Sequence, residues 1–144
     1  MEIENRRAYF EYEILETYEA GVELLGFEVK AIRAGRAVLS GAFVVPRGNE
    51  LWLTNISIAP YQAGNTPKDY LPDRPRRLLM HRKEIASLIG KSRTAGLTLI
   101  PLRFYTEKPK IKVQIGVARK KRKYDKREAI KKRDTLREAR RTLQ

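Results

Sequence analysis

The chain has 144 residues, 42% of them hydrophobic, which is enough for one core with a tail and too few for a second independent domain. Its 31 Lys and Arg against 17 Asp and Glu leave a net charge of +14, so the surface attracts polyanions, and RNA, DNA and anionic membrane all qualify. The absence of cysteine excludes disulfides and thiolate metal sites, the single His81 excludes two-histidine metal sites, and no run approaches the roughly 18 apolar residues of a membrane span.

The opening "MEIENRRAYFEYEI" has no basic segment followed by an apolar stretch, so a cytoplasmic protein that is not exported is expected. "FEYEILE" alternates Phe10, Tyr12 and Ile14 with Glu11 and Glu13, the period of a strand with one wet face. "YEAGVELLG" then predicts a turn at Gly21 and a second strand carrying Val22 and Leu24. In "FEVKAIRAG" the spacing of Val29 and Ile32 fits a short helix ended by Gly35. "AFVV" and "LWLTNISI" flank the turn cluster "PRGNE" and predict a hairpin.

From Ala59 to Pro75 no periodic signal appears, and Pro60, Pro67, Pro72 and Pro75 punctuate a long loop of the kind that often carries function. "HRKEIASLIGKS" sets Ile85, Leu88 and Ile89 on one helical stripe, with Gly90 near its stop. "LTLIPLRFY" and "KIKVQIGVA" predict two further strands around "TEKPK". Short strands with few helices imply a mostly β fold, a small antiparallel barrel or sandwich.

The chain offers little for catalysis. "GKS" at Gly90 to Ser92 lacks the glycine five positions earlier that a phosphate loop needs, because Ile85 is there. Glu11, Glu13, Glu16 and Glu19 are explained by a solvated strand face. No enzyme and no cofactor are expected.

The strongest signal is the C-terminus. Between Arg119 and Gln144 stand 13 Lys and Arg against 4 Asp and Glu, a net of +9 that leaves +5 for everything before it. Helical spacing lines up only Ala129, Leu136 and Leu143, beside Ile130, too thin a stripe to dock on a domain or build a coiled coil. Such a segment is expected to be disordered alone and helical once phosphates neutralise its bases. An interfacial membrane helix needs bulky apolar residues opposite the bases, and none of the tail's residues is Trp or Phe. Nucleic acid fits better: Tyr124 can stack on a base while the surrounding bases contact phosphate. "KKRK" also matches a nuclear import patch.

The ordered set "ENRRAYFEYEI", "YEAGVELLGFEVKAIRAG", "APY", "RRLLMHRKEI", "GLTLIPLRFY", "KVQIGVAR" and "YDKREAIKKRD" resembles the SmpB family, the small protein B partners of bacterial transfer-messenger RNA, over nearly the whole chain. The resemblance implies an oligonucleotide-binding-type β-barrel over residues 1–118 and a basic tail over 119–144. It implies that the barrel binds the tRNA-like domain of transfer-messenger RNA, and that the tail enters the decoding site and empty mRNA channel of the small ribosomal subunit during rescue of stalled ribosomes. A monomer with no membrane contact is expected.

Carried over by motif position, the family's RNA-binding residues fall on Asn5, Arg6, Arg7, Tyr12, Glu19, Arg76, Arg77 and Leu79. Tyr12 can also be read as core, and on pattern alone Leu79 reads as core rather than as a contact. The ribosome-binding tail maps to Arg119, Lys120, Lys121, Arg122, Lys123, Tyr124, Asp125, Lys126, Arg127, Lys131, Lys132 and Arg133. The chain departs from the family pattern at Ala31, where serine is usual, at Lys120, where glycine is usual, and at "LPDRPRR", where the family has "DPxR". The alternative reading is a ribosomal or other RNA-binding protein with a basic arm; an enzyme using the barrel as an RNA platform is a third.

Overall fold

A computed structural model describes residues 2–143, with the side chains of Ala63, Lys123 to Lys126, Glu128, Ala129 and residues 140–143 outside the description. The elements in chain order are β1 (Glu2–Glu4), α1 (Arg6–Glu11), β2 (Tyr12–Val22), α2 (Gly26–Arg33), β3 (Ala37–Val38), β4 (Phe43–Arg47), β5 (Glu50–Thr54), β6 (Ser57–Ile58), a 3-10 turn (Ala63–Asn65), β7 (Arg76–Leu79), α3 (Arg82–Ser92), β8 (Leu97–Glu107), β9 (Lys110–Lys120) and α4 (Lys123–Leu143).

Six strands close a ring in the order β8, β4, β5, β7, β2, β9, with β9 returning onto β8, and every pairing is antiparallel. β1 extends the β8 edge beside β4, and β3 with β6 makes a separate small ribbon. The result is the expected small β-barrel with short helices. Its interior is filled by Leu51, Leu53, Phe104, Val113, Ile115 and Val117, with Ile32 of α2 and Leu88 of α3 in the same core. Along β9 the alternation Ile111, Val113, Ile115, Val117 supplies this face directly.

Two bulges reconcile the sequence with the barrel. On β8 the register slips between Pro101 and Arg103, so Leu102 is the extra residue. The slip reverses side-chain parity: Ile100 and Leu102 face a second cluster under Ala8 of α1, while Phe104 turns into the main core. Without it Arg103 would point inward. On β2 the slip between Ile14 and Glu16 does the same, leaving Tyr12 and Ile14 against the α1 cluster and Ala20 and Val22 in the barrel.

Several expectations need correction. Phe10 lies in α1, not in a strand, because Asn5 caps a helix there: its side-chain oxygen accepts from the Ala8 amide at 3.3 Å. Gly21 is inside β2 and does not turn the chain, so the expected hairpin is one long strand. α3 runs on through Gly90 but ends two residues later at Ser92, close to the expected stop. β7 went unread because its inward position is filled by Arg76, which hides the alternation. The helix ended by Gly35, with φ of 76°, the hairpin around Gly48 and the β8–β9 pair are as expected.

The C-terminal segment is helical over Lys123–Leu143 with no nucleic acid present, whereas the sequence predicts helix only with a partner bound. β9 runs to Lys120, and Lys121 clasps α1: its amide donates to the Glu11 carbonyl at 2.8 Å and its ammonium to the Tyr9 carbonyl at 3.0 Å. Lys120, opposite Tyr12, sits in regular strand, where a side chain costs nothing that glycine would spare. Of the thin apolar stripe, Leu136 is 61% exposed, while the Ala129 and Leu143 side chains lie outside the described residues.

Candidate nucleic-acid interface

The outer face of β7, β2 and β9 brings together residues far apart in the chain. Gly21 pairs with Leu79 on one side and with Lys112 on the other, and Glu19 lies two positions before Gly21 on the same face. A hollow there is lined by Glu19, Leu79, Met80, His81, Glu84 and Lys112. Gly21 makes the approach possible, since a Cβ at that position would stand 3.3 Å from the Leu79 Cβ. Leu79 is 46% exposed and so is not core. An exposed leucine sharing this face with a carboxylate and an ammonium offers an apolar seat for a base or ribose, an acceptor for an amine or hydroxyl, and a phosphate contact.

The Glu19 carboxylate is held from behind. Tyr105 of β8 reaches diagonally across β9 and donates its hydroxyl to Glu19 Oε1. Arg103 lies over the Tyr105 ring at 4.4 Å, donates to Gln114 at 3.2 Å and pairs with Glu2 at 3.4 Å. Burial, then the bond to Glu19, raises the Tyr105 pKa, so the phenol stays a donor.

A second group lies at the other end of β2. Arg6 and Arg7 are exposed on α1, Arg7 donating to Glu11 at 2.8 Å, and Tyr12 is half-buried beside them. Asn5 is different: it is buried, and its amide donates to the Pro101 carbonyl at 2.8 Å, so its side chain ties α1 to β8 at the floor of a pocket that Arg7, Glu11 and Tyr12 also line.

Arg76 is likewise interior, fully buried with Glu28 of α2. Its Nε donates to Glu28 Oε2 at 3.0 Å and its remaining donors meet the carbonyls of Pro72 at 2.8 Å and Arg74 at 2.7 Å, and the Tyr70 hydroxyl at 2.9 Å. Arg74 also pairs with Glu28, and Tyr70 donates to it at 2.9 Å. Burial raises the Glu28 pKa, but the Leu25 amide and Arg76 outweigh burial and hold the carboxyl below its ordinary value. Burial and Glu28 together push Tyr70 up to about 12. These contacts fasten the root of the 59–75 loop to α2. Arg77, next in the chain, points outward to Glu23 at 2.7 Å and Glu50 at 3.0 Å.

In the tail Arg119, Lys120, Arg122, Arg127, Lys131, Lys132 and Arg133 are exposed. The side chains of Lys123, Tyr124, Asp125 and Lys126 lie outside the described residues. Sequence reasoning missed Lys112 and Tyr105, which only strand register, with the bulge on β8, brings to Glu19.

The closed ring, the cupped face around Leu79 and the basic helix place the chain among small oligonucleotide-binding-type barrels that carry a basic arm. The family model described as SmpB protein matches residues 2–144. An SsrA-binding protein of Synechococcus sp. (strain JA-3-3Ab) is 52% identical over 98% of this chain and 92% of its own length, and one of Carboxydothermus hydrogenoformans is 50% identical over 97% and 93%. A solved structure of tmRNA–SmpB in the bacterial ribosome has 46% identity and a TM-score of 0.71, covering 90% of this chain and 94% of that one. This chain belongs to the SmpB family.

Proposed function

We propose that this protein is an RNA-binding factor of trans-translation that binds the tRNA-like domain of transfer-messenger RNA and delivers it to stalled ribosomes. The observation that carries this is the match to SmpB over residues 2–144, which spans barrel and arm together. The barrel, residues 1–118, contributes Glu19, Leu79 and Lys112 at the hollow, Arg6, Arg7 and Tyr12 at the α1 end, and Arg77 on its flank. Residues 119–144 form the arm, and Arg119 to Arg127 with Lys131, Lys132 and Arg133 engage the decoding site and mRNA channel. Asn5 and Arg76 support the barrel from inside. The protein acts as a monomer in the cytoplasm, without a cofactor, and catalyses nothing itself.

Binding of the full chain to the tRNA-like domain is compared with a duplex RNA of equal length at two salt concentrations, because any basic protein holds RNA at low salt. A preference of about a hundredfold, roughly 2.7 kcal/mol, that persists at the higher salt is expected of a shaped site. Equal, steeply salt-dependent binding to both would reduce the protein to a polyanion-binding arm.

A further inference from the structure

We infer that Tyr105 is a positioning residue for RNA recognition, fixing Glu19 so that one carboxylate oxygen is presented to the RNA. The inference rests on the reading of Glu19 as an RNA ligand. A glutamate on an open strand face has several rotatable bonds, and ordering it on binding costs affinity. The Tyr105 hydroxyl removes that cost beforehand by occupying Oε1, which leaves Oε2 for a base amine or a ribose hydroxyl.

Tyr105 is itself held. Its ring lies under the Arg103 guanidinium at 4.4 Å, and Arg103 is tied to Gln114 and Glu2, so three strands, β1, β8 and β9, converge on one phenol. The strand pairing leaves the reach to Glu19 no sideways freedom: Tyr105 stands opposite Lys112, and Glu19 opposite Gln114, the next residue on the same face of β9. Tyr105 touches no RNA in this scheme. It acts only through Glu19.

The test is a double-mutant cycle on the full chain with Tyr105→Phe, Glu19→Gln and both, reading the preference for the tRNA-like domain over the equal-length duplex at the higher salt. Melting temperatures are measured alongside. Tyr105→Phe keeps the ring under Arg103, so the melting temperature should be essentially unchanged while the preference falls about three- to tenfold, the scale of ordering one long side chain on binding. Glu19→Gln should cost at least as much, and the double variant should match Glu19→Gln within about twofold, since the glutamine oxygen that Tyr105 still holds leaves an NH2 donor where the RNA needs an acceptor. Losses that multiply in the double variant, or a Tyr105→Phe protein with full preference while Glu19→Gln has lost it, would overturn the positioning role and leave Glu19 as a ligand. Full preference in Glu19→Gln would overturn both.

Discussion

Arg76 shows how far one side chain's role depends on what faces it. Beside Arg77 and in a basic chain it reads as an RNA contact, yet it is fully buried and spends its guanidinium on Glu28, Tyr70 and two loop carbonyls. Arg76→Ala leaves Glu28 short of its main partner inside the barrel, and breaking a buried pair in this way costs about 3–5 kcal/mol. A fall of that size in the urea-unfolding free energy is expected, with the RNA preference intact at temperatures where the variant is folded. A fully stable variant that has lost RNA binding would return Arg76 to the ligand set. Arg77→Ala should do the opposite, lowering the RNA preference while leaving the unfolding free energy nearly unchanged, because its pairs with Glu23 and Glu50 are solvent-exposed.

At the level of elements, the arm and the barrel meet through one short helix. Asn5 caps α1 and ties it to β8, and Lys121 binds the carbonyls of Tyr9 and Glu11 near its end. Removing residues after Ala118 would therefore strip the β9 pairs at Arg119 and Lys120 and the clasp on α1. Truncation after Arg122 spares them. That shortened protein should keep the melting temperature and the tRNA-like-domain preference of the full chain while tagging on stalled ribosomes is lost; parallel loss of both activities would show that the arm is part of the barrel's RNA site.

The same elements show what sequence could and could not reveal. Helix α2, the β4–β5 hairpin and the β8–β9 pair were legible because Gly35, Gly48 and the Ile111–Val117 alternation each state their geometry locally. The α1–β2 boundary was not, since Phe10, Tyr12 and Ile14 keep a strand-like period across a helix end. Glu19 and Leu79 were placed by family resemblance, and Leu79 looked like core on pattern; only the pairing of Gly21 with Leu79 shows that it faces out. Lys112 and Tyr105 required the full register of β2, β9 and β8, which no local signal encodes.

For the whole molecule, the buried Glu28 couples stability to pH. Its folded carboxyl lies below the ordinary value of 4.5, so it adds stability above that pH and loses it as the pH falls through the folded value. The melting temperature should drop on acidification below 4.5, and Glu28→Gln, already less stable at neutral pH, should flatten that slope. An unchanged slope would mean that other carboxylates dominate acid unfolding. Because Tyr70 and Arg74 share the network, the 59–75 loop should gain protease sensitivity over the same range.

Closure of the ring has one more consequence. Each of its six strands has a neighbour on both sides for at least part of its length, so among the described residues the free strand edges lie on β1, on the β3–β6 ribbon and along stretches such as the side of Tyr12–Ala20 turned away from β9. Around Leu79, where β7, β2 and β9 are paired, a ligand is gripped by side chains standing on the outer wall, which suits one whose own backbone is sugar and phosphate and has no amide ladder to offer in return.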